Sequence, residues 1–231
     1  MVIQSISPAQ LHHEIDLASR VKDEGWFFTS LGDHSGNMGA ELRMLASRLG
    51  EPMAGRAGQL IETLSPLHTA EAKPKSLSVL HGLASFPLHT DGAHMLHPPH
   101  FIMLACVTPG SRGVPTVVVH LRDIRLDEPA FQCLRTAPFL VRNGRRSFYS
   151  TICDYDRPFI RFDPGCMTAL DATGRAAMDL LSNHTAKCDR STVDWKARDI
   201  LIINNWNVLH GRGHFDSVTS PDRTLLRMSI Q

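Results

Sequence analysis

From Gln59 to the end of the chain, short apolar segments alternate with clusters of Pro, Gly, Asn and Asp. Segments of this length, with turn residues between them, are typical of β-sandwiches and barrels. The sequence predicts strands, in chain order, at 59–63, 76–80, 88–91, 100–107, 116–120, 139–142, 147–153, 159–162, 199–203 and 223–231. We therefore expect a mainly β fold.

Predicted helices flank this β region. Ser7-Pro8 is typical of a helix start, and apolar residues recur from there at helical spacing until Gly25. A second amphipathic helix is predicted to end at Gly50, and a late helix is predicted over 171–187. The helices therefore lie mostly at the N-terminal end of the sequence.

No internal repeat, low-complexity tract or linker divides the 231 residues. A chain of this length fits one large domain or two small ones, and the lack of a dividing segment favours one. We therefore expect a single domain over 1–231, in which 1–55 packs as a helical region against a β core of 59–231. The segment 143–159 is expected to form a small lid on that core.

Charge, hydropathy and cysteine content narrow the classes of function. The formal net charge is +1, which gives no electrostatic case for binding nucleic acid or a membrane surface. No apolar run approaches membrane-spanning length, and the first residues lack the pattern of a signal peptide. The 5 cysteines are scattered without C-x-x-C spacing, as expected of reduced thiols in a cytoplasmic protein.

His89 and Asp91 form a His-x-Asp pair within the predicted strand 88–91. Residues two apart in an extended chain point to the same side, so the imidazole and the carboxylate would face one point. Such a pair supplies part of the 2-His-1-carboxylate site that binds non-haem Fe(II) and keeps coordination positions open. Because the chain has 13 His and 23 acidic residues, the pair alone is a weak signal.

His210 is the candidate third ligand. It follows an apolar strand and a polar turn near the C-terminus. A lone His is more often a hydrogen-bonded structural residue, but a jelly roll brings distant strands together at one mouth. Two ligands close in sequence and one far away are the pattern expected of a facial triad.

Arg223 and Arg227 lie on the last predicted strand, where their spacing would place both on one face. Buried arginines are costly unless they meet a carboxylate, which a guanidinium binds through two hydrogen bonds. The alternative is a solvated edge strand, on which arginine blocks edge pairing. Thr116 could share the same anion, or it could be an ordinary β-branched strand residue.

In their order along the chain, these residues resemble the Fe(II)/2-oxoglutarate-dependent dioxygenases of the taurine dioxygenase and clavaminate synthase type. The resemblance covers roughly residues 60–231 and implies a double-stranded β-helix (jelly-roll, cupin-like) core. The matching segments are Leu88-His89-Thr90-Asp91, Pro98-Pro99, Gly113–Thr116, Ile160-Arg161-Phe162-Asp163, Arg198-Asp199-Ile200, Asn205, His210-Gly211-Arg212 and the terminal Arg-x-x-x-Arg.

The resemblance implies His89, Asp91 and His210 as ligands of a catalytic Fe(II). It implies that Arg223, with Thr116, binds the distal carboxylate of 2-oxoglutarate. Arg227 would lie near the C1 carboxylate of that cosubstrate or near the substrate. Enzymes of this type use O2 and 2-oxoglutarate to hydroxylate a C–H bond, and they release succinate and CO2.

Other polar residues near the His-x-Asp pair have open roles. Ser85, His94 and Arg212 are candidate substrate contacts, although a surface His or a structural Arg is equally compatible with the sequence. His94, His97 and His100 could instead form a three-His zinc site. None of the three has a carboxylate partner at useful spacing, which argues against zinc.

The sequence therefore predicts an iron-dependent hydroxylase of a small polar metabolite, such as an amino acid or a natural-product intermediate. Desaturation, cyclisation and sulfonate oxidation are alternatives with the same cofactors. A zinc-dependent hydrolase or isomerase would not need Arg223 and Thr116. A non-enzymatic metal-binding sensor need not preserve both those residues and the triad, and the oligomeric state stays open.

Overall fold

The computed structural model of the chain describes residues 16–31, 36–55, 57–72, 77–110, 114–156, 158–213 and 222–231. The helices are α1 (Leu17–Glu24), α2 (Met38–Ala46), α3 (Leu77–His81), α4 (Glu128–Thr136) and α5 (Ala172–Lys187). The strands are β1 (Trp26–Ser30), β2 (Pro52–Met53), β3 (Glu62–Leu64), β4 (Phe101–Thr108), β5 (Thr116–His120), β6 (Phe139–Val141), β7 (Phe148–Ser150), β8 (Met167–Ala169), β9 (Ser191–Val193), β10 (Asp199–Asn204), β11 (Val208–Arg212) and β12 (Thr224–Ile230). None of these helices combines the length and the apolar character that crossing a membrane would require.

The strands of the described chain form antiparallel sheets. The large sheet has the order β1-β10-β4-β12-β2, and β3 also pairs with β12. A second sheet has the order β11-β5-β9, and a third has the order β7-β6-β8. This mainly β architecture, with two facing sheets and flanking helices, confirms the predicted fold class and its double-stranded β-helix core.

The internal strand β10 is buried along its whole length, which explains why residues 200–203 form a continuous apolar run. Ile200 and Ile202 pack in a cluster with residues of α1 and α2. The alternate residues Leu201 and Ile203 pack in a second cluster, with residues of β5 and β11. The large sheet therefore has helices on one face and the second sheet on the other.

A third apolar cluster connects the two smaller sheets with α4 and α5. Val119 and Leu209 of the second sheet pack in it with Phe139 of the third sheet. Leu134 of α4 and Leu181 of α5 are fully buried in the same cluster. The side of the second sheet that faces away from the large sheet is thus covered by the third sheet and these helices.

The structure corrects several predicted elements. The predicted strand 76–80 is wrong, because 77–81 forms the short helix α3. A short apolar run does not distinguish a strand from a buried helical turn by periodicity alone. The predicted strands 88–91 and 159–162 each contain only an isolated bridge, at His89 and at Ile160. Helix α4 was not predicted.

Some predictions lie partly or wholly outside the described residues. The start of the first helix at Ser7-Pro8 and the Gly113 of the Gly-x-x-Thr segment are among them. Within the described chain, α1 ends next to Gly25 as predicted, and Asp16 caps its start. The segment expected to be a lid, 143–159, contains β7 and Cys153, which forms an isolated bridge with Ile160.

Candidate active site

His89 and His210 are held side by side by main-chain hydrogen bonds. The His89 N–H donates to the carbonyl of His210 over 2.9 Å, and the His210 N–H donates to the carbonyl of His89 over 3.1 Å. Gly211 permits this close approach, because a Cβ at that position would lie 2.6 Å from the carbonyl oxygen of Phe86. The two imidazole centroids are 4.8 Å apart as a result.

Asp91 lies in the turn that follows, and Asn205 holds its main chain. The Asn205 side chain accepts from the Asp91 N–H over 2.9 Å and donates to the carbonyls of Asp91 and Pro99, each over 2.9 Å. Gly92 continues the turn with φ +68°, a conformation that L side chains rarely adopt. The carboxylate is therefore brought to the imidazoles by a supported turn and not by a regular strand.

The three side chains converge on one point. Nε2 of His89 and Nε2 of His210 each lie 3.9 Å from a different carboxylate oxygen of Asp91. The three prospective ligand atoms lie within 4.8 Å of one another, and no other group of three or more such residues forms among those described. The alternative zinc site at His94, His97 and His100 is therefore not assembled.

The protonation states of these residues suit a metal ion. Nδ1 of His89 lies 3.0 Å from the carbonyl oxygen of Pro87. A carbonyl only accepts, so Nδ1 carries a proton and Nε2 is the ring nitrogen that faces Asp91. Burial and repulsion from His89 lower the pKa of His210 to about 3, so its imidazole is neutral. Metal ligands must be deprotonated in this way.

Arg227 connects the carboxylate of Asp91 to a second carboxylate. Its Nη1 donates to both oxygens of Asp91 over 2.9 and 3.0 Å, while Nη2 and Nε donate to Glu62 over 2.7 and 3.2 Å. Burial raises the pKa of Asp91, but Arg227 and the two imidazoles outweigh burial and lower this pKa to about 2. Asp91 is therefore ionised.

Arg223 and Arg227 do not contact a common carboxylate among the described residues. Its Nη1 donates to the carbonyl of Val114 over 2.8 Å, and its buried Nε has no hydrogen-bond partner among the described residues. Burial lowers the pKa of Arg223 to about 10, so the guanidinium stays charged at neutral pH. Thr116, two residues after Val114, is buried and accepts a hydrogen bond from Trp195 over 3.0 Å.

The three candidate substrate contacts, Arg212, Ser85 and His94, differ in their hydrogen bonds and in their exposure. Arg212 donates to the carbonyls of Gly82 and Ala84 and lies over the ring of Phe86, so its contacts favour a structural role. Ser85 is exposed in the segment that Arg212 holds, and His94 is half-buried in the turn after Asp91.

Glu62, Trp195 and the role of Asn205 were not predicted from the sequence. Glu62 meets Arg227 only because β3 and β12 pair in register. Trp195 reaches Thr116 because it follows β9, which pairs with β5. Asn205 was noted only as a part of the family pattern. No local sequence signal identifies these partners, since each contact joins residues far apart in the chain.

Comparison with protein families gives one match. Residues 118–229 match the model described as Taurine catabolism dioxygenase TauD, TfdA family. This range includes His210, Arg223 and Arg227. No curated protein matches the chain significantly.

Solved structures share the fold over nearly the whole chain. An asparagine oxygenase in complex with Fe(II), 2S,3S-3-hydroxyasparagine and succinate aligns with a TM-score of 0.76 and 20% identity, covering 93% of this chain and 77% of that chain. The non-heme iron oxygenase OrfP in complex with Fe and alpha-ketoglutaric acid aligns at 0.69 and 21%, covering 97% and 84%. The PvcB protein from Pseudomonas aeruginosa aligns at 0.69 and 19%, covering 93% and 78%.

At these identities the structural likeness shows the fold, and the family match points to the same kind of protein over residues 118–229. Both agree with the resemblance predicted from the short motifs of the sequence. The chain resembles the TauD/TfdA family of Fe(II)- and 2-oxoglutarate-dependent dioxygenases, whose model matches residues 118–229.

Proposed function

We propose that this dioxygenase binds Fe(II) through His89, Asp91 and His210 and hydroxylates an amino acid or a closely related polar metabolite. The observation that carries the proposal is the convergence of two imidazoles and one carboxylate, with ligand atoms within 4.8 Å of one another. This donor set suits non-haem Fe(II) with coordination positions left open for other ligands.

When bound, iron and 2-oxoglutarate supply the oxidising chemistry, in which 2-oxoglutarate and O2 yield succinate, CO2 and a hydroxylated substrate. The chain supplies the geometry. The carbonyl of Pro87 holds the Nδ1 proton of His89, and Asn205 holds the main chain of Asp91. Because these supports are in place in the protein itself, the ligands need little reorganisation to bind a metal.

Arg223 and Thr116 bind the distal carboxylate of 2-oxoglutarate in this proposal. Arg223 is 7% exposed and has no carboxylate partner among the described residues. A buried guanidinium without a counter-charge is costly, and a carboxylate that arrives with a ligand removes that cost. Neither a zinc hydrolase nor a metal sensor would require such an anion site.

An amino acid is the substrate class that the comparisons support. The similar structures contain 3-hydroxyasparagine in the asparagine oxygenase and (3S)-hydroxy-L-Arg in OrfP. Arg227, which contacts Asp91, is the proposed partner of a carboxylate of the substrate or of the 2-oxo acid. His94 and Ser85 are further proposed contacts. Desaturation, cyclisation and sulfonate oxidation would use the same cofactors and are distinguished by their products.

An anaerobic titration of the metal-free protein with Fe(II) and then 2-oxoglutarate tests this function. Chelation of the metal by a 2-oxo acid gives a weak visible charge-transfer band. We expect the band in the wild type and in the control His97→Ala, which removes an exposed imidazole. The band should be absent in His89→Ala and should require at least about tenfold more 2-oxoglutarate in Arg223→Ala.

Tight binding of iron or zinc without the band would contradict the oxygenase proposal and favour the zinc hydrolase or the sensor. If the band forms, incubation with amino acids in air is expected to yield succinate in step with a hydroxylated product. Succinate formation with sulfonates alone would replace the proposed substrate class and leave the cofactor assignment intact.

We also propose that 1–231 acts as one oxygenase domain on a small molecule in the cytoplasm. The described cysteines are all free, which is compatible with a reducing compartment. Burial raises the pKa of Cys153 and Cys166 to about 12, so these thiols stay protonated and unreactive at neutral pH.

A further inference from the structure

We infer that Trp195 fixes the hydroxyl group of Thr116 and thereby sets the affinity of the enzyme for the distal carboxylate of 2-oxoglutarate. Trp195 is in this sense a positioning residue, which acts through Thr116 and does not touch the cosubstrate. The inference rests on the proposed function, in which Thr116 and Arg223 bind that carboxylate.

The contact between the two side chains is direct and enclosed. Nε1 of Trp195 donates to Oγ1 of Thr116 over 3.0 Å, and the two residues are 5% and 4% exposed. Phe28 packs edge-on against the indole, with ring centroids 6.2 Å apart. Val193 pairs with Thr116 across the sheet, which places Trp195 just beyond the paired segment. The indole is therefore held by the fold on several sides.

The direction of this hydrogen bond determines whether the hydroxyl proton of Thr116 is available to a second acceptor. An indole N–H only donates, so the Thr116 oxygen must act as the acceptor. The hydroxyl proton then points away from Trp195 and is available to another acceptor. No other side-chain hydrogen bond of Thr116 occurs within the part of the chain that the structure describes. Accepting one bond also strengthens a hydroxyl as a donor.

Two arginines lie near Thr116, and neither forms an ion pair with a carboxylate of the described residues. Arg223 donates to Val114, two residues before Thr116, and its Nε has no partner among the described residues. Arg212 lies opposite Thr116 in the β5–β11 register. Buried guanidinium groups without a counter-charge fit a carboxylate. A ligand with a distal carboxylate can therefore receive the Thr116 proton that Trp195 directs.

The test measures the dissociation constant (Kd) of 2-oxoglutarate by anaerobic calorimetry on the Fe(II)-loaded protein. Trp195→Phe keeps an aromatic ring and removes the N–H group. We expect its Kd to rise roughly five- to tenfold, the effect of one lost hydrogen bond. The matched control is Trp26→Phe, which alters another Trp packed on the same apolar cluster and should leave Kd within about twofold.

Two further comparisons separate positioning from a general structural effect. In a Thr116→Val background, adding Trp195→Phe should change Kd less than about twofold, because the hydroxyl that Trp195 positions is already gone. With 2-oxovalerate, which has a methyl group in place of the distal carboxylate, Trp195→Phe should leave Kd unchanged. Thr116→Val alone should lower the preference for 2-oxoglutarate over 2-oxovalerate, so the test does not depend on the folding of Trp195→Phe.

The inference is overturned if Trp195→Phe weakens both 2-oxo acids equally, or if its effect persists in the Thr116→Val background. Retention of the full preference for 2-oxoglutarate in Thr116→Val would also overturn it. If the wild type binds no 2-oxoglutarate at all, the proposed cosubstrate fails first, and that result is distinct from a failure confined to the Trp195 variants.

Discussion

Arg227 shows how a single side chain can connect distant parts of the site. It comes from the last strand, it spans both oxygens of Asp91, and it is itself held by Glu62 of β3. Such outer contacts orient a metal-binding carboxylate and tune its charge. Glu62 matters because it offsets part of the positive charge that Arg227 brings next to a prospective cation.

We expect Glu62→Gln to weaken Fe(II) binding by about tenfold, since Arg227 loses an anchor and presents more positive charge to the metal. Anaerobic calorimetry with Fe(II) measures the change. Glu71→Gln removes an exposed carboxylate from the described chain and serves as the control. An unchanged affinity in Glu62→Gln would show that Arg227 needs no support from β3.

Asn205 is the second residue whose effect can be measured. It is fully buried and makes three hydrogen bonds to the main chain of Asp91 and Pro99. Asn205→Ala leaves these groups without partners, so we expect the free energy of unfolding to fall by about 2–4 kcal/mol. Urea denaturation tests this, with the exposed Asn183→Ala expected to stay within about 0.5 kcal/mol of the wild type.

At the scale of elements, the site depends on how closely the segment around His89 approaches β11. The main-chain bridge between His89 and His210 is the point of closest approach. Elements assembled by such long-range pairing are hard to predict from local pattern. The prediction that the side chains of His89 and Asp91 face one point was correct. The predicted strand at 88–91 is reduced to the single bridge between His89 and His210.

Gly211→Ala tests this approach, because the added Cβ would lie 2.6 Å from the main-chain oxygen of Phe86. The two segments must separate, so we expect Fe(II) affinity to fall by more than about tenfold and Tm to fall by several degrees. Gly174→Ala is a matched control, since its Cβ would meet Ala169 at 2.9 Å, away from the site. Gly174→Ala should lower Tm and leave the metal affinity unchanged; equal losses of affinity would contradict the explanation.

For the whole molecule, His100 provides a pH-dependent contribution to stability. Its ring is stacked between Phe101 and Trp206, with centroid distances of 4.3 and 4.0 Å. Burial, with a smaller repulsion from Lys22, lowers the pKa of His100 from its ordinary value of 6.5 to about 4. Between pH 6.5 and about pH 4, the unfolded chain binds a proton at His100 that the folded chain does not bind. The free energy of unfolding therefore falls as the pH falls through this range.

We expect His100→Phe, which preserves stacking but does not titrate, to lose less stability than the wild type between pH 6.5 and pH 4. The difference between the two proteins should be about 1–2 kcal/mol, after allowance for the partial exposure of the ring. Urea unfolding at several pH values measures it, and the other titrating groups cancel in the comparison. Parallel pH curves for the two proteins would contradict this role of His100.

The sequence by itself determined the mainly β class and supplied a short list of candidate site residues. β10 and β5 are short runs of mostly apolar, β-branched residues, and this local pattern indicates buried strands. His89, Asp91 and His210 were predicted as ligands because their order along the chain, together with that of Arg223 and Arg227, resembles a known family. The helix α3 and the single bridge at Ile160 were missed because short apolar runs are compatible with several local structures.

Only the tertiary structure decided which groups meet. The sequence shows that Arg227 and Arg212 carry guanidinium groups, but it does not show their partners. Arg227 contacts Glu62 because β3 pairs with β12 in that register. Arg212 contacts main-chain carbonyls because residues 82–86 pass beside it. The contact of Trp195 with Thr116 depends likewise on the pairing of β5 with β9. A side chain's chemistry is local to its residue, whereas its partner is set by packing between segments far apart in the chain, and no local pattern encodes that.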